Sequence, residues 1–139
     1  MKKVFIVALC VVMLSFVGLL AGCEKPDENP ADPSAIRISI INLIADPEDY
    51  HGKVVRVIGV GHYEKWEGFF LYLGEADRKH SVDKNGLQVL GGSGSFNKMK
   101  RLSGKYVIVE GTFDMNNKGP WGLYSGTIDE CTRYELWKW

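Results

Sequence analysis

Residues 38–139 predict an all-β fold with short helices, five strands closing on themselves as a small barrel. Two observations carry that expectation. The octapeptide Gly52-Lys53-Val54-Val55-Arg56-Val57-Ile58-Gly59 recurs 52 positions later as Gly104-Lys105-Tyr106-Val107-Ile108-Val109-Glu110-Gly111. Both alternate with period two and are rich in β-branched residues, which is the pattern of a half-buried strand. The remaining apolar runs are short, closely spaced and bounded by Gly, Asn and Ser, and a sheet that closes on itself leaves no exposed edge.

The elements follow in order. Ser39 is placed to cap a short helix, Ile40–Ala45, whose apolar side is Ile40, Ile41, Leu43 and Ile44. Asp46-Pro47 ends it, because the residue before proline disfavours helix. Pro47 to Tyr50 reads as one further turn. The first octapeptide is a strand with Val55 and Val57 facing one way and Val54, Arg56 and Ile58 the other. Gly68–Leu73 (GFFLYL) is the second, and Leu87–Leu90, opened by the turn signal Asn85-Gly86, the third. A short helix over Asn97–Leu102 precedes Tyr106–Met115, the fourth strand. Asn116-Asn117-Lys118-Gly119 is a hairpin signal leading to a fifth, Trp121–Ile128. Arg56 and Glu110 are expected on the wetter faces, and the flanking glycines suit bulges or sharp bends.

The N-terminal 22 residues differ from the rest. Met1-Lys2-Lys3 is a positive start, Val4–Leu20 is apolar apart from Ser15 and Gly18, and small residues follow. That is the organisation of a secretory signal peptide. Seventeen apolar residues also reach the lower end of the roughly 17–25 that cross a bilayer, so a transmembrane anchor is the competing reading. Leu20-Ala21-Gly22-Cys23 resembles the lipobox of bacterial lipoproteins at every position. The resemblance implies cleavage before Cys23, acyl chains such as palmitate on the new terminus, and a place in the cell envelope outside the cytoplasm. In a Gram-negative cell, Glu24 in place of Asp implies the periplasmic leaflet of the outer membrane.

Residues 23–37 are then the lipidated Cys and a tether. Glu24–Arg37 has three prolines, four acidic residues among its first nine, and little apolar before Ile36, too little to offset the entropy of ordering. Fourteen such residues span at most roughly 45–50 Å. Loss of Lys2 and Lys3 leaves 15 basic against 17 acidic residues, which is not the basic footprint of a nucleic-acid binder. Cys10 leaves with the signal peptide and Cys23 carries lipid, so Cys131 has no intramolecular partner and reads as a small buried hydrophobe.

The string Tyr50–Gly59 resembles the first strand of bacterial OB-fold domains, and the likeness extends over roughly 38–137. It implies a five-stranded Greek-key barrel with a helix between strands three and four. It transfers no catalytic residue, so no enzyme is expected. The face it points to carries Phe70 and Tyr72, with Tyr63, Trp66, Arg78 and Lys79 adjoining, for an envelope glycan or a protein partner. Two basic clusters, Arg78-Lys79-His80 and Lys98 with Lys100-Arg101, leave an oligonucleotide as an alternative that the neutral charge disfavours.

Other chemistry finds less support. Gly91–Ser95 lacks the Lys of a phosphate loop. His51, His62, His80 and Cys131 lack metal-site spacing, so no cofactor is expected. There is no G-x-S-x-G elbow. Glu64 and Glu67 flank Trp66 and, with His62, would be the residues of a small envelope hydrolase. Trp137-Lys138-Trp139 could meet headgroups or a partner, or pack over the end of the domain.

Overall fold

The computed structural model describes residues 31–91 and 96–139. The predicted signal peptide, Cys23, tether residues 24–30 and residues 92–95 lie outside them. Among the described residues the elements are β1 (Ile36–Arg37), α1 (Ile40–Ala45), β2 (Val54–Glu64), β3 (Gly68–Tyr72), α2 (Glu75–Lys79), β4 (Gly86–Val89), α3 (Phe96–Arg101), β5 (Tyr106–Asp114) and β6 (Thr127–Leu136). No helix among these residues is long and apolar enough to cross a membrane.

The strands form one six-stranded sheet, β1-β2-β3-β4-β6-β5, closed into a ring by a second pairing of β2 with β5. Closure works because β2 has two neighbours in succession. Val54–Val60 pairs antiparallel with Tyr106–Thr112, and Val60–Glu64 pairs antiparallel with Gly68–Tyr72. Strands β4 and β6 run parallel, through Gln88↔Thr127 and Val89↔Ile128.

The alternation in the repeated octapeptides is the alternation of the ring. Val55, Val57, Val107 and Val109 are buried inside it with Phe69, Leu71, Leu87, Phe113 and Ile128. Ile40 and Leu43 of α1 join that core, and α1 begins as the sequence requires, with Ser39 Oγ accepting from the Asn42 N–H at 3.2 Å.

The two octapeptides are antiparallel partners, and their closing glycines are places of close approach. A Cβ on Gly59 would stand 2.6 Å from the Tyr72 carbonyl oxygen and 2.9 Å from both Ile40 and Leu71 side chains. Gly59 is where β2 leaves β5 for β3. A Cβ on Gly111 would stand 2.5 Å from the Asp129 carbonyl, beside the register shift in the β5–β6 pairing between Glu110 and Thr112. The repeat therefore serves the fold.

Three expectations need correction. The sheet has six strands rather than five, because Ile36–Arg37 lies parallel on Val55–Arg56, along the stretch of β2 that β3 does not reach. The last strand is Thr127–Leu136 rather than Trp121–Ile128. Pro120 cannot donate to a ladder, and 120–122 is a single turn of 3-10 helix inside a longer connection. Glu110 does not lie on a wet face: it is 0% exposed.

A Gly59→Ala variant should lose about 1–3 kcal/mol in urea unfolding, since backbone atoms of β3 cannot move aside for the methyl group. A loss below about 0.5 kcal/mol, the range of ordinary surface changes, would remove Gly59 from its role as the pivot.

Candidate functional site

The outer face of β2, β3 and β4 is set by register. His62 lies opposite Phe70, Phe70 opposite Gln88, and Gln88 opposite Thr127. The sequence places a binding face here, but Phe70 and Tyr72 are both buried. The connection between β5 and β6 folds back and lays Tyr124 on them. Its ring stacks on Phe70, with centroids 4.4 Å apart at 12°, and meets Tyr72 edge-on at 6.2 Å. The Tyr72 hydroxyl donates to Asp83 Oδ1 at 2.8 Å and lies 3.3 Å from the Tyr124 hydroxyl. Burial, then these two contacts, push the Tyr72 phenol above its ordinary range. The two rings are thus interior packing, closed by a residue 52 positions along the chain.

That same connection is tied down along its length. Lys118 Nζ donates to the Ser125 carbonyl at 2.8 Å, Lys84 Nζ to the Gly122 carbonyl at 3.0 Å, and Ser125 Oγ to the Lys84 carbonyl at 2.6 Å. Thr127 Oγ1 donates to the Asn117 carbonyl at 2.9 Å. From this fastened loop Trp121 stands 86% exposed, at φ 58°. A non-glycine residue in the left-handed region is strained by roughly 1 kcal/mol or more, and such strain gathers at functional sites. Trp121 and Tyr124, expected within the fifth strand, lie in this connection instead. The available signal was Pro120, which cannot sit inside a strand.

The short connection from β2 to β3 holds Trp66, 85% exposed, with Lys65 Nζ 4.8 Å from its ring centroid. Glu64 and Glu67 are exposed on either side, and His62 Nε2 is 3.6 Å from Glu64. Tyr63 turns the other way, edge-on to Phe96. The Arg78 guanidinium is taken up by Glu75 within α2, and Lys79 is exposed. The predicted site residues therefore do not converge. Trp66 remains open, while Phe70, Tyr72, Tyr63 and Arg78 each have an internal partner.

The strongest electrostatic feature lies elsewhere on the outer surface. Arg56, Glu110 and Arg133 stand in one row across β2, β5 and β6. Arg56 Nε reaches Glu110 Oε1 at 2.6 Å, Arg133 Nη1 reaches the same oxygen at 3.0 Å, and the Asp32 N–H donates to Oε2 at 2.9 Å. Arg56 Nη2 donates in turn to the Asp32 carbonyl at 2.8 Å, and Arg133 Nε to Glu135 at 2.9 Å. Burial raises the Glu110 pKa, but the Asp32 N–H and the two guanidiniums outweigh it and hold the carboxyl below its ordinary value. Residues 32–37, assigned by composition to the tether, are thus fastened to the sheet at both ends.

Cys131 is buried, and its thiol is pushed up to about 11 by that burial, which leaves it a thiol near neutral pH. His51 faces Asp114 at 3.6 Å. Among the described residues no three His, Cys, Asp or Glu side chains are grouped to hold a metal ion.

Comparison with protein-family models gives no match, and comparison with curated proteins gives none. Among solved structures the chain is similar to an aspartyl-tRNA synthetase from Leishmania major Friedlin, at 12% identity and a TM-score of 0.43. The match covers 78% of this chain and 22% of that one, so the chain spans about a fifth of that structure's length.

Glu110→Gln should cost about 3 kcal/mol, because Arg56 loses its counter-charge and Arg133 keeps only Glu135 beside a buried row. The pH dependence has a definite sign. A carboxyl whose folded pKa is depressed contributes fully above its unfolded value, about 4.3, and loses that contribution as pH falls toward the folded value. Urea midpoints should therefore fall more steeply for the wild type than for Glu110→Gln between about pH 5 and about pH 3. Parallel curves would mean that the row carries no net electrostatic stabilisation.

Proposed function

We propose that this chain is a lipid-anchored cell-envelope protein. In this reading its domain is an OB-fold-like Greek-key barrel that binds a protein partner or an envelope glycan without catalysing a reaction. The strand order supports the architecture: leaving out the two-residue β1, the ring runs first-second-third-fifth-fourth in chain order, with the third and fifth parallel. Leu20-Ala21-Gly22-Cys23 supports the anchor.

One observation supports the binding reading above others. Trp66 and Trp121 stand almost fully exposed on the two connections that border the β2–β3–β4 face. Indoles combine large apolar area with few rotatable bonds, and they are enriched where binding energy concentrates. The aromatic face beneath is already filled by Tyr124, so recognition falls to the rim rather than to Phe70 and Tyr72. Pull-down and in-cell crosslinking of the full-length chain, followed by a glycan array, would identify the partner.

Trp66→Ala and Trp121→Ala should each weaken capture of that partner by about tenfold or more, with Tm within a degree or two of wild type because neither ring is packed. Wild-type capture by both variants would exclude the rim. A turnover of envelope polymer abolished by Glu64→Gln would instead establish the hydrolase alternative, in which His62 and Glu64 act together. Membrane retention and an unchanged mass for Cys23→Ala would exclude the anchor.

A further inference from the structure

A second surface, at the end of β2 where it meets β5 and the end of the chain, combines charge and exposed aromatic rings. Between Phe96 and Val109 the chain carries Lys98, Lys100, Arg101 and Lys105 and no acidic residue. None of the four forms an ion pair among the described residues. Hydrogen bonds gather this segment into one corner with the end of β2 and the end of the chain. The Tyr63 N–H donates to Ser103 Oγ at 3.0 Å. The Gly61 N–H donates to the Lys105 carbonyl at 2.9 Å, and the Trp137 N–H to the Tyr106 carbonyl at 2.9 Å.

The rings at this corner face water. Phe96 is 57% and Tyr106 53% exposed, and Trp139 is fully exposed. Phe96 meets Tyr63 edge-on at 5.0 Å, and Lys100 Nζ lies 5.7 Å from the Tyr63 ring centroid. Of the neighbouring carboxylates, Glu110 is held by Arg56 and Arg133, Glu135 by Arg133, and Glu64, next to Tyr63, lies 3.6 Å from His62. The result is a surface with four cations that form no ion pair among the described residues, studded with aromatic side chains, on a chain whose mature charge is slightly negative.

We infer that this corner docks on the anionic headgroups of a bilayer. Trp and Tyr settle at membrane interfaces because one end of the side chain is apolar and the other polar. Each Lys or Arg near an anionic leaflet strengthens association by roughly fivefold. The preference for a bilayer over another polyanion rests on the anchoring reading, which would hold the domain beside one. The docking becomes a second membrane contact, made by side chains, that sets which way the rim with Trp66 and Trp121 faces.

The test uses the purified full chain. Mass spectrometry first records whether Cys23 carries acyl groups, so that a failure of the anchoring reading is seen by itself. The chain is then combined with neutral phosphatidylcholine vesicles, or with vesicles containing about 30% phosphatidylglycerol. Both contain brominated acyl chains that quench nearby indoles. Quenching should be about threefold stronger in the anionic vesicles, and the added component should fall in Trp139→Phe, where Trp137 remains, and vanish in Lys100→Glu/Lys105→Glu. These substitutions alter exposed side chains alone. Equal quenching in both vesicles, or quenching that survives charge reversal, would overturn the inference. So would quenching of Trp139 by a single-stranded oligonucleotide with none by vesicles, which would reassign the corner to nucleic acid.

Discussion

β2 has to satisfy two partners in succession, and the closed ring depends on its doing so. Along its first half β5 takes one edge; along its second half β3 takes the other. The change-over falls at Gly59 and Val60, where the backbone of β3 passes so close that a side chain on Gly59 has no room. Once that crossing is made, the inward valines of both octapeptides share one interior. The outward residues Arg56 and Glu110 become direct neighbours. The connection after β5 is then positioned to fall across β3 and β4, bringing Tyr124 onto Phe70.

The row Arg56–Glu110–Arg133 records the same pairing in charge. A buried ion pair is weak evidence of net stabilisation, since desolvation offsets much of the attraction. Its value here lies in register. A slip of one residue between β5 and either neighbour would turn Glu110 toward the valine interior, where no guanidinium could follow it. A slip of two would separate it from both arginines. The hydrophobic pattern of Val-x-Val tolerates a two-residue slip, whereas the charge row does not.

Much of the local structure was legible because it is set by neighbours in sequence. Ser39 caps α1 through a residue three positions on, GFFLYL forms β3, and Asn97–Leu102 lies one residue from the observed α3. What escaped was decided at long range. Glu110 reads as a solvated strand residue until two arginines 54 and 23 positions away are brought beside it. Phe70 and Tyr72 read as an open aromatic face because the residue that covers them lies in a loop. Asn116–Gly119 alone predicts a hairpin there, but Pro120 keeps the following residues out of a ladder. Trp66 is exposed where the sequence puts it, because exposure in a tight polar connection is itself a local property. β1 was missed because two residues after a proline-rich run carry no periodicity, and an edge left free by β2 decides their pairing.

The fastening of Asp32 to Glu110, and of Ile36–Arg37 to β2, has a mechanical consequence for an anchored chain. In the proposed anchored form, the stretch between Cys23 and the first fastened group is residues 24–31 rather than the whole of 24–37. Eight residues reach at most about 26–29 Å. So short a leash confines the domain to a thin layer of solvent, in which the surface beneath it is met at an effective concentration on the order of millimolar. Contacts far too feeble to hold a free protein would then be made most of the time. In that proposed form, the geometry of encounter with any partner would be governed by the confinement before any specific affinity is engaged.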